Sequence, residues 1–97
     1  MTPADLQQSA LTDTMPPPGL SLEAQTLWLI KASRWEEAHH IAQDIETRTG
    51  SWLHALLHLI EGDTGNANYW FVRAGRSPVP PSDIEAEWDR IAAIVLP

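Results

Sequence analysis

The chain has 97 residues, 43% of them hydrophobic, which is enough for one domain with one modest core. Six basic residues face thirteen acidic ones for a net charge of -7; this excludes the basic stripe that phosphate-backbone binding needs, so no nucleic-acid partner is expected. Cysteine is absent, which excludes disulfides, thiolate metal ligands and cysteine catalysis.

The segment Met1-Thr2-Pro3-Ala4-Asp5 lacks the basic start and apolar stretch of a signal peptide. No apolar run approaches the length of a bilayer span. The expectation is a cytoplasmic protein without membrane contact. Pro3 suits the first position of a short helix through Leu6 and Leu11, and Pro16-Pro17-Pro18-Gly19 then breaks any helix; residues 1–19 read as a flexible arm first and a short docked helix second. Residues 20–97 then form the folded domain.

Five helices follow. Ser21 caps the first, over about residues 22–32. The run Ser33-Arg34-Trp35-Glu36 reads as a capping box that opens the second, which extends to about Thr47 and stops before Gly50. The third runs from about Ser51 to Glu61 and ends at Gly62. Asp63 caps the fourth, which reaches about Gly75. Pro78, Pro80 and Pro81 make a rigid link, and Ser82-Asp83-Ile84-Glu85 opens a fifth helix to about Val95. No segment alternates as a strand does. The fold class is all-α.

Each predicted helix carries one tryptophan: Trp28, Trp35, Trp52, Trp70 and Trp88. Trp88 shares a face with Ile84, Ile91 and Val95, and Trp35 with Ala38, Ala42 and Ile45. Large aromatics at this spacing fill gaps between short helices. The first two helices repeat in the next two, with Leu29 matching Leu59 and Ala38 matching Ala67.

The second unit reads Trp52-x2-Ala55-Leu56-x2-Leu59, then Gly62-Asp63, then Ala67-x3-Phe71-x2-Ala74. This resembles the tetratricopeptide repeat. The resemblance implies two helical hairpins plus a C-terminal capping helix, with Ala67 allowing close approach and Phe71 plugging the gap. The first unit has Ala42 where the large aromatic belongs and lacks the opening Trp. The stretch Ala38-His39-x2-Ala42-Gln43, with Gly50-x-Trp52-x-His54-Ala55-x-Leu57-His58-x2-Glu61-Gly62-Asp63-x2-Asn66-Ala67-x-Tyr69-Trp70, is also similar to a family of small, chiefly bacterial proteins. That resemblance covers about residues 33–76. It implies the same fold and suggests that these polar positions belong to the family's character; it supplies no chemistry.

All four histidines fall in the second and third predicted helices. His54, His58 and Glu61 share the face that the apolar residues of the third helix leave free. His39 and Gln43 flank the apolar arc of the second helix, and His40 lies beyond it on the other side. Three readings arise: a solvated stripe, a polar groove between the units that binds a ligand, and a metal site built on His54 and His58 with Glu61 or His39 as third ligand. The expectation is the groove, lined by His39, Gln43, His54, His58 and Glu61 with Tyr69 and Trp70 at its edge. The function that follows is binding or scaffolding of a protein or peptide, with a homodimer as a further partner state. The alternative is a small metal-dependent or histidine-based enzyme using the same residues. No cofactor is expected: Gly62-Asp63-Thr64-Gly65-Asn66 lacks the spacing and lysine of a phosphate loop, and neither Ser51 nor Ser77 sits in a nucleophile motif.

Overall fold

The computed structural model describes residues 1–96. Among them lie six α-helices and no strand: α1 (Pro3–Thr12), α2 (Leu22–Lys31), α3 (Trp35–Ala42), α4 (Arg48–Ile60), α5 (Thr64–Arg73) and α6 (Ile84–Val95). A 3-10 turn over Pro81–Asp83 leads into α6. The most extensive packing is of α4 on α5 and of α2 on α3, the two hairpins. Helix α6 rests on α4 and α2 and closes one side of the pair.

Helix α4 is the centre of the molecule. Every residue from Trp52 to Leu59 is buried, so neighbours surround it as they surround a core helix. Ala67 and Phe71 are fully buried on the face of α5 that meets α4. Trp28, Trp52 and Trp88 are buried as well. Their indole N–H groups are all satisfied, by Ser9 Oγ, Glu87 Oε2 and the Leu27 carbonyl, as buried polar tips must be.

The flexible arm read for residues 1–19 gives way to a docked helix over Pro3–Thr12. Thr2 Oγ1 accepts from the Asp5 N–H, and Asp5 Oδ2 accepts from the Thr2 N–H. Pro3 takes the first helical position, where its missing N–H costs nothing. Leu6 is fully buried, Ala10 nearly so, and Trp28 Nε1 donates to Ser9 Oγ at 3.0 Å. Two apolar side chains and one indole hydrogen bond tie the segment down.

The helix boundaries differ from the sequence reading at three places. Ser33 does not cap α3. It sits at φ 60°, where the Ser33 and Arg34 N–H groups bond the Ile30 and Leu29 carbonyls and terminate α2. Helix α3 ends at Ala42, and α4 begins at Arg48 under a Thr47 cap. Gly50 is therefore inside α4 rather than beyond a helix end. A Cβ there would lie 2.2 Å from the Ile45 carbonyl oxygen, so glycine is what lets the α3–α4 connection cross so closely. Ser82 makes no cap bond either, because the proline-led 3-10 turn starts the last helix instead.

The α2–α3 turn and the α4–α5 turn share one hydrogen-bond pattern. Gly62, at φ 86°, and Asp63 bond the Leu59 and His58 carbonyls as Ser33 and Arg34 bond those of Ile30 and Leu29. Ser33 thus corresponds to Gly62 and Leu29 to His58, so the Leu29–Leu59 match read from the sequence is one residue out of register. The second hairpin holds a histidine where the first holds a core leucine.

Candidate functional site

Three helices supply the site. Helix α3 presents Trp35 and, one turn on, His39. Helix α4 presents His54 and His58 one turn apart, with Glu61 at its C-cap. Helix α5 presents Trp70. Because α4 packs on both α3 and α5, its histidines lie between the side chains of the other two.

His54 is held on both sides. Its ring stacks on Trp70 with centroids 3.9 Å apart and planes 12° from parallel. Its Nε2 lies 3.0 Å from His39 Nε2. His39 in turn stacks on Trp35, at 4.8 Å and 8°, and Trp35 is fixed by its Nε1 donating to the Leu57 carbonyl at 2.7 Å. His58 stacks on His54 at 4.8 Å and meets His39 edge-on at 5.4 Å. Its Nδ1 lies 2.5 Å from Glu61 Oε1. An ionised carboxylate only accepts, so Nδ1 carries the proton, and in the neutral ring Nε2 is the nitrogen with the lone pair. That Nε2 has no hydrogen bond among the described residues, yet no buried side-chain polar atom is unpaired, so the nitrogen is not sealed from solvent.

His54 and His58 are 6% and 7% exposed, which rules out the solvated stripe. Burial, reinforced by His39 and His58, pushes the His54 imidazole down to about 4. His39 is also lowered, first by burial and then by His58 and His40, against the opposing pull of Glu61. Both rings are therefore neutral near pH 7, and the short contact between their Nε2 atoms is one proton shared between two nitrogens.

The cluster gathers His39, His54, His58, Glu61 and Trp70 from the residues singled out in the sequence. Tyr69 faces outward instead. It is half exposed, its hydroxyl accepts from Arg73 Nη1 at 3.1 Å, and its ring meets Trp70 edge-on. Gln43 is exposed in the turn after α3 and makes no hydrogen bond to the cluster. It instead borders two surface depressions. One, of about 290 Å³, is lined by Trp35, Glu36, His39, His40 and Gln43. The other, of about 450 Å³, includes Arg48, Ser51, Trp70 and Arg73. Trp35 is the member that reading the sequence as core packing misses. The signal was present: Trp35 stands four residues before His39, one turn away on the same face.

Two groups of side chains have ligand atoms within 4.8 Å of one another: His39 with His54 and His58, and His58 with Glu61 and Asp63. The second is committed elsewhere, since Glu61 holds His58 Nδ1 and Asp63 caps α5. The metal alternative written as His54, His58 and Glu61 is thus not the grouping the fold builds: Glu61 orients His58, and the third nitrogen comes from His39. Asked of known proteins, no family model, curated protein or solved structure matches the chain.

Proposed function

We propose that the protein is a binding module of tetratricopeptide-like architecture, which takes an extended peptide or protein segment across α3, α4 and α5, over the histidine cluster. The observation that carries this reading is that three imidazoles, two of them buried, converge beside a depression that His39 lines, and that Gln43 joins it to a second depression bordered by Trp70. Helical repeats present such inter-helix faces to partners. Trp35 and Trp70, both partly buried, frame the cluster, and tryptophan is among the residues that carry most binding energy at interfaces. One depression carries Glu36. The other carries Arg48 and Arg73 against a single Glu46. A segment with a basic residue toward the first and an acidic residue toward the second suits both.

Panning a random peptide library on the immobilised protein tests this. The wild type should enrich a shared motif, and Trp70→Ala, checked for helical content by circular dichroism, should lose it. No enrichment, or a motif that the folded variant retains, rejects the reading. The enzyme alternative draws its support from the carboxylate-backed His58. Against it, no hydroxyl or thiol is hydrogen-bonded to any of the three rings among the described residues.

A further inference from the structure

The three imidazoles are each oriented by a different device. Trp35 holds the plane of His39, Trp70 holds that of His54, and Glu61 holds the tautomer of His58. A cluster kept only for packing has no need of this. From it we infer that His39, His54 and His58 form a binding site for one divalent transition-metal ion of the imidazole-preferring class, such as zinc.

Imidazole donors suit zinc, copper, nickel and iron, while calcium and magnesium seek oxygen. A tetrahedral ion with nitrogens at about 2.1 Å sets its ligands about 3.4 Å apart. His39 Nε2 and His54 Nε2 stand at 3.0 Å, so the pair opens by about 0.4 Å to admit an ion where the shared proton now lies. The ring that donates that proton moves it to its own Nδ1, and both Nε2 lone pairs then face the metal. His58 offers the third nitrogen. All three residues offer a ligand atom within 4.8 Å of the other two, so His58 has at most about 1.4 Å to close to reach tetrahedral spacing.

The contact of Glu61 with His58 Nδ1 is the arrangement that raises the basicity of a metal-bound histidine. Three protein ligands leave the fourth position open, and His39 borders a depression beside Trp35. The net charge of -7 favours a cation. The inference rests on reading this cluster as a binding site, but it names a different occupant from the peptide.

The test uses the full chain, stripped by dialysis against a chelator. Zn²⁺ is followed by calorimetry and Co²⁺ by visible absorption. The expected result is one ion per chain, with the intense cobalt bands of four-coordinate geometry. His54→Gln should abolish uptake at micromolar metal. Glu61→Gln should weaken it by about 10- to 100-fold at unchanged stoichiometry, and His40→Gln should leave it as in the wild type. Because Glu61 is partly exposed, its variant decides the matter even if His54→Gln fails to fold. Absence of stoichiometric uptake, weak six-coordinate cobalt bands, uptake retained by a folded His54→Gln, or uptake abolished by His40→Gln would each overturn the site. A peptide motif recovered without metal uptake removes the metal alone; metal uptake without any motif removes the peptide reading alone.

Discussion

Helix α4 carries two polar clusters, and they are finished differently. At Trp52 the indole Nε1 donates to Glu87 Oε2 at 2.9 Å, and Arg90 takes the other carboxylate oxygen. Arg90 also bonds Asp83 at 2.8 Å, and the Arg76 guanidinium lies 3.6 Å from the centre of the Trp52 ring. Two cations stand against two anions, and the buried carboxylate has both oxygens engaged. At His54 the pattern is open. Two neutral rings share one proton, and a third ring keeps an unbonded nitrogen that is not sealed from solvent. A polar cluster that closes on itself holds helices together, here α6 on α4. One that leaves lone pairs converging is held ready for something else. The number of buried polar groups does not separate the two; the completeness of their hydrogen bonding does.

Removing one member from each cluster breaks this comparison most sharply. Glu87→Ala strands the Trp52 N–H in the core and leaves Arg90 with Asp83 alone. The expected cost is about 3 kcal/mol in urea denaturation, since a buried donor loses its only acceptor and an ion pair loses one partner. His54→Gln should cost about 1 kcal/mol, because His39 is half-buried and water can reach the nitrogen it exposes. Equal costs in the two variants would mean that the histidine cluster is as structural as the other and would weaken both functional readings.

The two clusters were also unequally legible in the sequence. The caps Ser21 and Asp63 marked two helix starts and the proline run before α6 a third, while Ser33 and Ser82 misled; the repeat marked the hairpins. The histidine positions were legible because His54 and His58 recur at one helical turn, a purely local signal. Their burial was not, because a wheel drawn for one helix cannot show that neighbours cover its polar side. The Trp52–Glu87 bond spans 35 residues and has no local signature at all. Gly50 misled for a related reason: glycine after a helical run reads as a stop, and the close pass of the Ile45 carbonyl that requires it is a tertiary event. Leu6 stood in the sequence as one apolar residue in a proline-rich leader, and only the assembled surface of α2 and α6 gives it a place to go.

The next effect is smaller and depends on pH. With chelator present, the folded His54 imidazole sits at about 4 against 6.5 for the free group. Above pH 6.5 both folded and unfolded chains hold it neutral, and its contribution is complete. Between 6.5 and about 4 the unfolded chain binds a proton that the folded chain refuses, so stability falls as pH falls. His39 acts in the same direction. Glu37 and Asp5, held below their ordinary ranges by Arg34 and by the Thr2 cap, act only at lower pH. Urea midpoints at pH 7, 6 and 5 should therefore decline in the wild type, and the decline should shrink in His54→Gln. Parallel slopes in the two proteins would show that His54 is not the group being titrated.

The smallest effect belongs to His40. It follows His39 directly, but one residue along a helix turns the side chain by about 100°, and the two rings part company. His40 is exposed and has no hydrogen bond among the described residues, while His39 is stacked and bonded to His54. His40→Gln should change stability by less than about 0.5 kcal/mol, as at other surface positions. It should also leave the ring signals of His39, His54 and His58 in place in an NMR spectrum of the imidazole nitrogens. The coupling between them is the repulsion by which His40 helps keep His39 unprotonated, and replacing His40 alters none of the cluster's contacts. If the variant instead moved all three ring signals, His40 would belong to the site. The depression that it lines with Glu36 would then be coupled to all three rings rather than bordering the cluster at His39 alone.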